Sequence, residues 1–254
     1  MSNSENQAKG LFAWIATSVI ILAFLLLVNW TSKDFFPIDL WAFWKFDNAL
    51  VQEAIIFSIP IFIWGAGITT IAGCFKEYQQ SIIDKSHQIL ASGFIISLIA
   101  GVCEEIIFRW ILFYSAMIAC QISNFLFFGF IPYILGSSFA CFEFTRIFYW
   151  YILAPVVNFF AFFKLDWILY EKGWIVGSAA VYSNAKFRDE HSYLGPLGYV
   201  NSWFLGFYLF WIMFTYGIPA AIVVHFVYDF LIFGIICLHA TARKGRKNDE
   251  AFRY

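Results

Sequence analysis

A chain of 254 residues is long enough for a sizeable core, but 61% of it is apolar and only 13% charged, against about half and about a quarter in soluble domains. That balance excludes an ordinary soluble domain and makes the bilayer the better solvent, to which 33 Phe, 11 Trp and 13 Tyr are suited as lipid-facing and interfacial side chains. A net charge of -1, with basic residues concentrated only in a C-terminal tail, argues against a nucleic-acid partner.

Taken in chain order, the apolar runs predict an all-α, polytopic transmembrane helical bundle of about eight spans, each needing about 20 helical residues. The first, 11–30, follows Lys9. It is too long for a signal-peptide core and lacks a small-residue cleavage site, so it reads as a transmembrane helix. The stretch 31–53 interleaves Trp41, Trp44, Phe35, Phe36, Phe43 and Phe46 with Lys33, Asp34, Asp39, Lys45 and Asp47, an interfacial pattern. The second span is 54–74. The apolar stretch 88–119 is too long for one perpendicular crossing, so it tilts, starts at the interface, or breaks near Gly101. Then come 123–142, 147–163, 167–187, 200–216 and 218–239.

The most polar interior loop, 186–199, carries Arg188, Asp189, Glu190 and His191 before the turn formers Gly195, Pro196 and Gly198. No internal repeat is visible. The chain reads as a single membrane domain over 1–254, with N-terminal spans and the interfacial segment in 1–87, a core in 88–239 and a basic tail in 240–254. Arg243, Lys244, Arg246 and Lys247 mark that tail as a cytoplasmic flank, and an even number of spans puts both termini of this integral, multi-pass protein in the cytoplasm. Lys9, Lys76, Lys85, Lys186 and Arg188 then fall inside, and Lys33, Lys45, Lys164 and Lys172 outside. The cysteines Cys74, Cys103, Cys120, Cys141 and Cys237 are odd in number and show no CxxC spacing, so they are expected to be packed free thiols.

Ionisable side chains inside apolar runs cost about 2.5–3.5 kcal/mol each on insertion scales and face a bundle interior or wet cavity. Three fall within six residues: Glu104, Glu105 and Arg109. On a helix Glu105 and Arg109 are four apart on one face, so the guanidinium neutralises that acid, while Glu104 points about 100 degrees away. A carboxylate held by arginine stays ionised, whereas one in an apolar pocket can take and give a proton, which makes Glu104 the general-base candidate. The competing reading is an ion network that locks the helix and does no chemistry. In the last run His225 and Asp229 are also four apart, so the acid can fix the tautomer of the imidazole. A third pattern is Phe187 followed by His191, at the end of the sixth expected span. Taken alone, a histidine in a polar loop is ordinary. His87 and His239 have no companions, and Glu143 with Arg146 and Glu171 with Lys172 read as interfacial charges.

The ordered set Glu-Glu-x-x-x-Arg at 104–109, Phe-x-x-x-His at 187–191 and His-x-x-x-Asp at 225–229 resembles the CAAX protease and bacteriocin-processing family over about residues 88 to 239. The resemblance implies a helical membrane fold with a one-sided cavity and the activity of an intramembrane endopeptidase, which hydrolyses a peptide bond of a membrane-associated peptide or protein, lipidated chains being one such substrate. Carried over by motif position, Glu104 and His191 would activate the water, Glu105 would be held by Arg109, and His225 with Asp229 would polarise the scissile carbonyl. Many members of that family carry asparagine where this chain has Asp229. An anionic aspartate cannot donate a hydrogen bond, so here it either holds a charged His225 or is protonated. Arg188, Asp189 and Glu190 also depart from the apolar helix common in the family's second motif.

On the span count His191 lies near the inner surface, whereas Glu104 and His225 sit about 22 Å deep at helical rise. Either the sixth span starts later or the third has an interfacial portion. No cofactor is expected, and the resemblance favours a metal-independent glutamate mechanism. Two histidines with carboxylates would also suit a divalent metal such as zinc, although no His-Glu-x-x-His signature is present. The alternatives from other classes are a proton-coupled transporter, in which these groups relay charge, and a catalytically idle membrane scaffold or immunity-type protein.

Overall fold

The computed structural model describes the backbone of residues 3–32, 35–75, 86–136, 143–162 and 164–251. Their side chains are described except at 3–15, 72–75, 86–91, 240 and 243–251. The thiols of Cys74 and Cys141, the imidazole of His87, the side chains of Lys9, Lys76 and Lys85, and those of the basic cluster Arg243, Lys244, Arg246 and Lys247 therefore lie outside the described residues. The fold is all-helical, with no strand among the described residues.

In chain order the helices are α1 (Asn3–Thr31), α2 (Asn48–Phe57), α3 (Ile59–Phe75) and α4 (Ser86–Glu104), then a π-helical run, Glu105–Leu112, and α5 (Phe113–Asn124). A π-turn at Phe125–Gly129 leads to α6 (Phe130–Leu135), and α7 (Phe144–Phe148) passes through a second, Tyr149–Leu153, into α8 (Ala154–Phe160). The short α9 (Asp166–Leu169) precedes α10 (Trp174–Glu190), a 3-10 turn at Ser192–Leu194, α11 (Gly195–Tyr216) and α12 (Ile218–Ala251). These elements form two compact units, one of Met1–Ala42 with Ile107–Lys186 and the other of Phe43–Ile106 with Phe187–Tyr254.

In the first unit, carbonyls of the segment after α1 are taken up by side chains of the π-helical run and α5. Trp110 Nε1 donates to Leu40 O (2.8 Å), Tyr114 OH to Asp39 O (2.6 Å) and Gln121 Nε2 to Phe35 O (3.2 Å). Phe36 and Leu40 are buried by this, so this part of the expected interfacial segment is core; Trp41 remains exposed. Farther along, Tyr149 OH reaches Leu169 O at 2.6 Å. Asn158 joins Asp166 Oδ1 (2.8 Å) and the Leu165 amide (3.1 Å), fixing the loop before α9. Arg109, Ser183 and Asn184 are completely buried, and the Ser183 hydroxyl donates to Phe108 O.

The second unit is built around α12, which packs against α2, α3, α4 and α11. Asp47 caps α2 by accepting from the Ala49 amide at 2.8 Å. Pro60 lacks the N–H that would continue that helix, and α2 and α3 meet at Ser58 with a bend of 47°. α11 and α12 are separated by Gly217, whose φ of +97° suits glycine, and the Ile218 amide donates to Phe43 O at 2.7 Å. Where α4 meets α12, Gly93, Ser97 and Gly101 recur every fourth residue, a small-residue stripe that lets backbones approach. A Cβ on Gly101 would stand 3.0 Å from Ile222 O and 3.1 Å from Phe226 N. Phe94, beside the stripe, meets Phe226 and Phe230 edge-on at 5.3 and 5.6 Å.

Among the described residues two helical stretches are long and apolar enough to cross a membrane, Ser192–Tyr216 and Ile218–His239, or three if the bent pair α2 and α3 counts as one. These helices do not support the expected number of eight. Within the described residues Ala16–Thr31, the later part of the 29-residue α1, and Phe144–Phe160 are shorter apolar stretches. The run 123–142 is interrupted at Phe128 (φ 70°) and Gly136 (φ 91°), and 167–187 is divided by Gly173 (φ 87°). The run 88–119 passes through the wider π-helical geometry from Glu105. Apolar composition counts residues and is blind to such breaks. The cysteines described, Cys103, Cys120 and Cys237, are free thiols.

The tight α4–α12 contact predicts that Gly101→Val lowers the thermal stability of the detergent-purified protein by about 1–3 kcal/mol, because the backbone atoms it meets cannot turn aside. Gly67→Ala, at a helical position with nothing within 4 Å of the new Cβ, should leave stability unchanged or raise it by up to about 1 kcal/mol.

Candidate active site

Five of the six ionisable residues singled out in the sequence lie in the second unit, and four contacts draw them into one cluster. The two acids at the end of α4 straddle a single imidazole. Glu105 Oε1 is 2.7 Å from His225 Nδ1, and Glu104 Oε2 is 3.9 Å from His225 Nε2. An ionised carboxylate only accepts hydrogen bonds, so with Glu105 ionised Nδ1 carries the hydrogen and donates it. Nε2 is left facing Glu104 and, at 3.5 Å, Asp229 Oδ2 one turn along α12. Glu105 opens the π-helical run, a deviation from α geometry frequent at functional sites.

The second imidazole comes from the end of α10. His191 is the first residue after that helix, and its Nδ1 lies 2.7 Å from Phe187 O. A carbonyl also only accepts. The neutral ring therefore carries its hydrogen on Nδ1 and turns the Nε2 lone pair toward Glu104 Oε2, 3.6 Å away. Phe187 is fully buried, its ring centroid 4.5 Å from that of His191 and 5.9 Å from that of His225, so one aromatic ring packs near both imidazoles.

Burial is graded across the cluster. The side chains of Glu105 and His225 are 0% and 2% exposed, whereas those of Glu104 and Asp229 are each 27% exposed. The inner pair forms a closed base, and Glu104, Asp229 and the half-buried His191 form the accessible side. Glu104 Oε2 is itself closed to solvent and lies within 4 Å of Nε2 of both imidazoles, so one carboxylate oxygen and two imidazoles share a single point of the cluster.

The structure thus brings Glu104, Glu105, His191, His225 and Asp229 together. Arg109 belongs to the first unit, where it is completely buried, and the hydrogen bond found for Glu105 is to His225, a partner not foreseen for it. Glu104 and His191 are in contact range, 3.6 Å apart, and α10, which carries His191 at its end, begins at Trp174, seven residues after the start of the expected sixth span. Two features escaped the sequence reading, the packing of Phe187 near both imidazoles and the Gly93, Ser97, Gly101 stripe. The stripe had a readable signal in its four-residue spacing.

Among the described residues no group of three or more His, Cys, Asp or Glu side chains has an arrangement that could hold a metal ion. No protein-family model, curated protein or solved structure matches the chain.

The inner pair predicts an asymmetry. His225→Phe, which leaves the Glu105 carboxylate buried without this imidazole, should cost about 3–5 kcal/mol of stability in detergent. Glu104→Gln, at the accessible side, should change it by less than about 1 kcal/mol. Thermal unfolding of the two purified variants against wild type checks the difference.

Proposed function

We propose that the chain is an integral, multi-pass intramembrane endopeptidase of the CAAX-processing type, with both termini cytoplasmic, acting on a membrane-associated peptide or protein. The observation that carries this reading is the approach of Glu104 to both His191 and His225, side chains from three sequence-distant segments whose ordered motifs resemble that family. The apolar helices of the second unit support a membrane setting.

In the proposed reaction Glu104 and the Nε2 lone pair of His191 bind one water. Glu104 takes a proton from it as the oxygen attacks the scissile carbonyl, so an O–H bond breaks while a C–O bond forms. His225, protonated on both nitrogens, offers Nε2–H to the developing oxyanion, with Glu105 holding Nδ1–H and Asp229 balancing the imidazolium charge. Collapse breaks the C–N bond, and Glu104 returns its proton to the leaving amine. General-base assistance of this kind contributes about 10²–10⁴ in rate, and a single oxyanion donor about 2.7–4 kcal/mol. Arg109 would neutralise negative charge on the glutamate pair, as the motif suggests. A prenylated C-terminal peptide is one substrate that suits this chemistry, and a peptide precursor or a lipidated membrane protein are others.

Purified protein incubated with a proteome-derived peptide library, read by mass spectrometry, tests the proposal. Cleavage by wild type should fall at least about 100-fold in Glu104→Ala and in His191→Ala, with folding retained. Cleavage that survives both substitutions removes the assignment. Ion or solute flux in sealed vesicles without cleavage would replace it with the transporter reading, and a cellular function intact in Glu104→Ala would replace it with the scaffold reading.

A further inference from the structure

The family-like motif at 187–191 departs from an apolar helix through Arg188, Asp189 and Glu190, and the structure gives the first two a definite task. The Arg188 guanidinium lies 4.4 Å from the Tyr199 ring centroid and 5.1 Å from that of Trp203. It donates through Nε and Nη2 to Asp189 Oδ1 at 3.0 and 2.7 Å, and Tyr199 OH donates to the same oxygen at 3.1 Å. Tyr199 and Trp203 are one turn apart on α11, so the cation rests against one face of that helix. An isolated surface ion pair contributes little, but here a planar cation is held by two rings and a carboxylate that the Tyr199 hydroxyl also engages.

This clamp fastens the last turn of α10 to the opening turns of α11, and that last turn is the mount of His191. Helix ends leave their final carbonyls without intrahelical partners. Here Arg188 O accepts the His191 amide (3.0 Å), and Phe187 O accepts the His191 ring Nδ1–H (2.7 Å). The tautomer and direction of the imidazole therefore depend on the peptide units at 187 and 188 staying where the helix puts them. We propose that Arg188 is a positioning residue for His191: its clamp on Tyr199, Trp203 and Asp189 holds the 187–191 turn in the geometry that presents Nε2 to Glu104. The inference rests on the hydrolase reading for its consequence in turnover, and on geometry alone for its consequence in the ring.

The test uses the full chain in detergent, as wild type, Arg188→Ala, Arg188→Lys and Tyr199→Leu. Two readouts are taken: the rate at which diethyl pyrocarbonate modifies His191, followed by mass spectrometry of the peptide containing it, and library-peptide cleavage. In Arg188→Ala, His191 should react several-fold faster while His225 reacts as in wild type and the melting temperature holds. kcat should fall about 100-fold with KM unchanged, as expected when a reacting group is misplaced by about 1 Å. Arg188→Lys, which keeps the charge but loses the planar fork, should recover only part of the effect, and Tyr199→Leu should resemble Arg188→Ala. His191 reactivity equal to wild type in folded Arg188→Ala overturns the proposal. Should that variant fail to fold, wild-type reactivity in both Arg188→Lys and Tyr199→Leu overturns it equally. If no wild-type cleavage is found the hydrolase reading fails, and the His191 modification rates still decide whether the clamp positions the ring.

Discussion

The hydrogen bond between Glu105 and His225 is the constraint on which the second unit depends. A carboxylate with no exposure is tolerated in apolar surroundings only with a well-placed partner, and 2.7 Å to an imidazole nitrogen supplies one. That distance demands that the end of α4 lie close against α12. The Gly93, Ser97, Gly101 stripe makes the approach possible, with Gly101 near the backbone of Ile222 and Phe226. The apolar contact and the polar bond therefore require one another: bulk on the stripe would pull the acid away from the ring, and loss of the ring would leave an acid in a seam built to exclude water. Glu104 and Asp229 take their places as neighbours of residues already fixed.

Composition and motif order were enough to read the helical class and to nominate the residues that meet around His225. What could not be read was a partner from a distant part of the chain. Local spacing offers Glu105 an arginine four residues on, and the imidazole that also bonds it lies 120 residues away, which no periodicity within one helix reveals. The same limit applies to 31–53. Its alternating aromatics and charges look interfacial, yet Leu40 is core because side chains farther along the chain capture the carbonyls around it. The number of spans is hard to read for a different reason. Hydropathy registers which residues favour lipid, whereas Phe128, Gly136 and Gly173 interrupt helices through backbone angles that an apolar average ignores. α10 begins at Trp174, later than the apolar run suggests, and its end carries His191 to 3.6 Å from Glu104.

Phe187 shows how packing and chemistry share one turn. Its ring packs near both imidazoles while its carbonyl fixes the tautomer of one of them. A residue that reads as ordinary core thus orients a polar group through its backbone and packs near two through its side chain, and it can do both because the helix ends three residues later.

The second unit is assembled from two stretches of chain, Phe43–Ile106 and Phe187–Tyr254, separated in sequence by Ile107–Lys186. On a ribosome the glutamates emerge first, and the whole intervening stretch must be made before either histidine exists. A nascent chain therefore carries its two acids for a prolonged interval with neither imidazole available, and the helix that bears them cannot seat until α12 arrives. Translation order postpones completion of this unit until α12 is made, so a polypeptide released before codon 225 ends with its acidic turn unmatched by the histidine that bonds Glu105.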